Sequence, residues 1–173
     1  MGNSTPSIMH RNGHVGAALL VYTLPGFIAT LFGGIEIGVL GALVAAGISI
    51  VPDWDHRIPF VEHRGITHTV PFAVLVGLVL GAGGLLVAIP EGHLPGLAAA
   101  AFGFALGFGT IVSHIGADAL TPMGVKPFRD NRRYSADLVQ SANSVANYAL
   151  LFLGVGLATV GVIAGSEVRP MLF

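Results

Sequence analysis

The 173 residues are 53% hydrophobic and only 10% charged, with a formal net charge of −1 and a mean hydropathy of +0.78. Soluble domains carry about 25% charged residues, so a water-soluble globule is excluded, and a chain this close to neutral has no overall pull on nucleic acid. Cysteine is absent, which removes disulfides, thiolate metal sites and cysteine nucleophiles and leaves His, Asp and Glu as metal donors.

The N-terminal run MGNSTPSIMHRNGH is polar and lacks the charged-then-apolar build of a cleavable signal. From Val15 to Val51 the only charge is Glu36. One helix of that length would run roughly 55 Å at 1.5 Å per residue, against a hydrocarbon core of about 30 Å. The stretch must therefore fold back, and Gly33-Gly34 is the natural turn between helices over Val15–Phe32 and Ile35–Val51. Pro25 is expected to kink the first, as membrane helices tolerate. After a polar segment, PDWDHRIPFVEHRG, come a third span over Ile66–Ile89, a short PEGHLPG connection and a fourth span over Leu97–Leu120. A second polar segment, TPMGVKPFRDNRRYSADLVQSAN, precedes a fifth span over Val145–Ala164. The expectation is one all-α integral membrane domain over residues 1–173, its glycines permitting close helix approach.

Five spans put the N-terminus, the 52–65 segment and the 121–142 segment on one side. That side carries Arg11, Arg57, Arg64, Lys126, Arg129, Arg132 and Arg133, and the other carries Arg169 alone. Basic loops stay in the cytoplasm, so the expected orientation in the cell membrane is N-terminus inside and C-terminus outside.

The same side collects His10, His14, Asp53, Asp55, His56, His63, His68, His114 and Asp118, while His93 lies opposite. His114 and Asp118 are one turn apart on one face of the fourth helix, in a span where ionisable residues are costly and usually mark function. The plainer reading of that pair is a helix–helix hydrogen bond. Asp53 and Asp55 would project the same way from an extended backbone, and His68 falls in the first turn of the third helix. Separate helix ends thus offer imidazoles and carboxylates to one space. Such mixed sets suit Zn²⁺, Mn²⁺ or Fe²⁺, and the number of donors allows more than one ion, with spare groups as orienting partners or a general acid.

These blocks resemble the YdjM-like family of membrane-bound metal-dependent hydrolases. The matching pieces are His14 before the first span, PDWDH at 52–56, HRGITHT at 63–69 and SHIGADALTPMG at 113–124. Thr69 stands where the family often has Ser. More remotely, the family is similar to the zinc-dependent phospholipase C and P1-type nuclease group. The resemblance implies a divalent metal, zinc first, held by His14, Asp53, His63, His68, His114 and Asp118. Asp55, His56 and Arg64 are the candidates for catalytic roles. Asp55 could instead cap a helix, one of Asp55 and His56 could stand behind a ligand, and Arg64 could clamp a phosphate or serve only as a topological signal.

The implied function is hydrolysis of a phosphate ester, in a lipid or lipid-linked substrate, at the cytoplasmic membrane surface. The alternative is a metal-binding membrane protein without turnover, or a transporter. Transport ranks lower, because transporter sites sit near the bilayer midplane on broken helices.

Overall fold

The computed structural model describes residues 11–57, 64–128, 130 and 132–173, apart from the side chains of His56 and Arg57. The apolar stretches form five helices: α1 (Arg11–Gly33), α2 (Ile35–Ile48), α3 (Val70–Ala88), α4 (His93–Ala119) and α5 (Ser144–Leu172). Each lies in a segment long and apolar enough to cross a membrane, the second of these extending to Asp55. Among the described residues the only β feature is a single bridge between Val125 and Tyr134.

The expected reversal between the first two spans sits where the sequence put it. Gly34 has φ +90°, a region that strains side chains with a Cβ. Helix α1 runs unbroken through Pro25. Other boundaries moved for local reasons. Helix α3 starts at Val70 rather than Ile66, because Thr69 takes an extended cap conformation and its Oγ1 accepts from Phe72 N at 3.4 Å. Ile66–His68 is a separate short 3₁₀ turn. Helix α4 starts at His93, earlier than Leu97, since Pro95 is accommodated in a first turn that lacks hydrogen-bond acceptors anyway. Helix α5 continues past Ala164 through Glu167 and Arg169.

Pro52–Arg57 is a 3₁₀ helix, not the extended strand that would send Asp53 and Asp55 the same way. At three residues per turn, positions two apart diverge, and the two carboxylates meet different partners.

Helix α1 packs mainly along α5, and α3 along α4. Glycine permits both contacts. A Cβ at Gly16 would lie 2.5 Å from the α5 backbone at Leu150, and one at Gly107 would lie 2.8 Å from Val76 O on α3. Tyr22 OH donates to Gly38 O at 2.7 Å and ties α1 to α2. The outward faces are apolar. Leu78, Val79, Leu86, Phe152 and Val160 are all more than half exposed, which suits lipid rather than water.

The alternation of helix direction brings the start of α1, the end of α2, the start of α3 and the end of α4 to one end of the bundle. The segment after α4 folds back over that end. Ala136 N donates to Ala119 O at 2.8 Å, Leu138 N to Leu120 O at 2.9 Å and Val70 N to Pro127 O at 2.8 Å.

Candidate metal centre

Each of those four helix ends contributes. His14 lies in the first turns of α1, Asp53 in the 3₁₀ helix after α2, His68 just before α3, and His114 with Asp118 in the last turns of α4. His14, His68 and His114 are wholly buried and Asp118 is nearly so, whereas the Asp53 side chain keeps 20% of its surface exposed.

The donor atoms converge. His68 Nε2 lies 3.1 Å from His114 Nε2, 3.3 Å from Asp118 Oδ2 and 3.7 Å from Asp53 Oδ1. His114 Nε2 lies 3.5 Å from both of those oxygens. His14 Nε2 lies 3.7 Å from Asp53 Oδ2 and 3.7 Å from Asp118 Oδ1.

The neighbouring groups fix which imidazole nitrogen carries the proton. His114 Nδ1 is 2.6 Å from Ser49 O, and a carbonyl only accepts, so Nδ1 is the N–H. Thr67 Oγ1 donates to Asp55 Oδ2 at 3.1 Å and lies 3.0 Å from His68 Nδ1, which is itself 3.5 Å from Asp55 Oδ2. His68 Nδ1 is therefore also an N–H. With both Nδ1 atoms carrying protons, the two Nε2 lone pairs face each other at 3.1 Å, an arrangement that a shared proton or a metal ion between them satisfies.

Size agrees with charge. A tetrahedral ion with bonds of about 2.0–2.1 Å holds its ligand atoms about 3.3–3.4 Å apart, which the separations around His68 and His114 bracket. Among the described residues the cluster gathers three carboxylates, of Asp53, Asp55 and Asp118, and one guanidinium, that of Arg64, so the fixed charge favours cations. Asp53 Oδ1, Asp118 Oδ2 and both His14 ring nitrogens are buried without a hydrogen-bond partner among the described residues. A metal would engage the two carboxylate oxygens and one nitrogen of His14, and buried polar atoms seldom stay unpaired.

Arg64 stands behind Asp118. Its Nη2 donates to Asp118 Oδ1 at 2.5 Å, and its Nη1 donates to Thr121 Oγ1 at 3.2 Å and Gly124 O at 2.9 Å. Both terminal nitrogens thus point into the protein. The backbone of Arg64 has φ +57°, and its N–H donates to Asp55 Oδ2 at 3.0 Å, so one residue links the carboxylates of Asp118 and Asp55. A non-glycine residue held in this region is strained, and here four hydrogen bonds hold it.

The structure thus brings His14, Asp53, His68, His114 and Asp118 together, with Asp55 and Arg64 one layer out. The candidates His56, by its side chain, and His63 lie outside the described residues. His93 is at the start of α4, at the opposite end of the bundle. Sequence reasoning missed three groups: Thr67, Thr121 and the Ser49 carbonyl. The two threonines sit inside HRGITHT and next to Asp118, so adjacency was a usable signal. A backbone carbonyl carries no side-chain signature, although the last carbonyls of any helix lack internal partners.

No curated protein and no solved structure matches the chain significantly. One family does, over residues 9–170, and those limits take in every residue of the cluster; the chain belongs to the YdjM inner membrane protein family.

Proposed function

We propose that this protein is a metal-dependent hydrolase acting at the cytoplasmic surface of the membrane on a phosphate ester of a lipid or lipid-linked substrate. The observation that carries the reading is the convergence of His68 Nε2 and His114 Nε2, both lone-pair donors, on two carboxylates at the end of a lipid-embedded bundle. A site at span ends lies level with headgroups, which favours an amphiphilic substrate. The basic residues of the 52–65 and 121–142 segments support a cytoplasmic location for that end.

A divalent ion, zinc first and manganese or iron as alternatives, would be held by these groups and supply Lewis acidity toward a phosphoryl oxygen and toward water. The protein's own residues do the positioning. The Ser49 carbonyl aims His114, Asp55 and Thr67 aim His68, and Arg64 holds Asp118. Asp53, the exposed ligand, marks the side from which substrate and water enter. His56, three residues along the same segment, is the candidate donor of a proton to the leaving group.

The test is a hydrolysis screen of purified protein against phospholipid mono- and diesters. Chelator should abolish turnover, and Zn²⁺ or Mn²⁺ should restore it. Metal-replete protein that turns over no member of the panel overturns the hydrolase reading. Complete burial of His14, His68 and His114 favours a second reading, a metal-binding membrane protein without turnover, which that outcome would leave standing.

A further inference from the structure

The rings of His14 and His114 are stacked, with centroids 3.7 Å apart and planes only 15° from parallel. A ligating imidazole directs its lone pair within the ring plane, at an ion about 2.0–2.1 Å from the nitrogen. Two rings stacked this nearly parallel send their lone pairs along lines that do not meet at that distance. His68 and His114 differ, since their planes cross at 63° and their Nε2 atoms face each other at 3.1 Å. The donor atoms of His14, Asp53, His114 and Asp118 all lie within 4.8 Å of one another, but the near-parallel planes put any one ion out of line with His14 or with His114, whereas His68 and His114 can share one.

The carboxylates divide the same way. Asp53 Oδ1 and Asp118 Oδ2 face His68 and His114, while Asp53 Oδ2 and Asp118 Oδ1 face His14. Each carboxylate turns one oxygen to each set of imidazoles. Asp118 Oδ1 also accepts from Arg64, and its two lone pairs allow both interactions. His14 is wholly buried, and neither of its ring nitrogens has a hydrogen-bond partner among the described residues.

We infer that the centre holds two divalent cations, one between His68 and His114 and one at His14, with Asp53 and Asp118 each bridging the pair. This rests on the metal reading of the cluster and specifies its stoichiometry. Held as a pair, such ions would supply Lewis acidity toward both the attacking and the leaving oxygen of a phosphoryl group.

The experiment is metal analysis of the full chain in detergent, loaded with Mn²⁺ and freed of excess by gel filtration, with EPR of the same sample. The expected result is two ions per chain with an exchange-coupled spectrum. His14→Ala should retain one ion per chain and show the uncoupled Mn²⁺ hyperfine pattern. One ion per wild-type chain, or two without coupling, overturns the pairing, and the wild-type spectrum alone decides this if His14→Ala fails to fold. A chain that retains no metal refutes the metal reading itself. A chain with two coupled ions and no turnover refutes only the hydrolase reading.

Discussion

Asp55 does not face the convergence point of the ligands; its Oδ2 lies 3.5 Å from Nδ1 of His68, on the far side of that ring. It also accepts from Thr67 Oγ1 and from Arg64 N. A carboxylate so placed fixes the tautomer and raises the basicity of its histidine, and removing such a partner typically costs 10–100-fold in metal affinity. Asp55→Asn should weaken Mn²⁺ or Zn²⁺ binding by about that factor while leaving the number of ions bound at saturation unchanged. A competition titration with a chelating dye measures both. Loss of a full equivalent at saturation would make Asp55 a direct ligand instead.

Arg64 makes a forked set of contacts to Asp118, Thr121 and Gly124, and a lysine ammonium cannot reproduce them. Breaking a buried ion pair by removing one partner costs about 3–5 kcal/mol. Arg64→Ala should therefore lower the midpoint of thermal unfolding in detergent, and Arg64→Lys should recover only part of the loss. Equal midpoints for wild type and Arg64→Lys would show that charge alone matters there.

The α1–α5 contact depends on the absence of side chains. A Cβ at Gly154 would run into the backbone of Gly16, and one at Gly16 would lie 2.5 Å from Leu150. Gly16→Val should force the helices apart, at a cost of about 1–3 kcal/mol or more, and displace His14 two residues away. Reduced metal retention should accompany the lower stability. Gly156→Val is the control, because a Cβ there meets nothing within 4 Å.

His93 caps the opposite end of the bundle from the cluster. His93→Ala should leave metal content and unfolding midpoint unchanged, whereas His68→Ala should lower metal content. Comparable losses in the two variants would show that the protein is sensitive to imidazoles in general.

The basic segments predict the orientation. Cysteine introduced at Asp130 should resist an impermeant thiol reagent in intact cells, and cysteine at Gly92 should react. The reverse pattern would put the cluster on the outer face and end the cytoplasmic assignment.

The five spans were legible because nearly charge-free runs leave a helix as the main way to satisfy the backbone in lipid, and His114 and Asp118 stood out in such a run. What the sequence concealed was local geometry. PDWDH reads equally well as extended or helical, and the 3₁₀ turn separates Asp53, at the convergence point, from Asp55, behind His68. Arg64 read as a phosphate clamp or a topological signal because nothing in the sequence shows that residues 118–124 fold back to meet it. Thr69 appeared only as a tolerated hydroxyl. In the structure it caps α3 and so ends the turn that holds His68.

The packing of α1 against α5 bears on when the site can be completed during synthesis. All the ligand residues named here precede Thr121, yet the helix that carries His14 finds its main partner only in Ser144–Leu172. A nascent chain that has emerged as far as Asp118 holds every donor but lacks the brace that keeps His14 in place. Metal loading should therefore await the entry of the fifth helix into the bilayer. A chain ended after Asn143 should keep its ligands in sequence and still release metal far more readily than the full-length protein, so that the last segment made acts as the latch on the first.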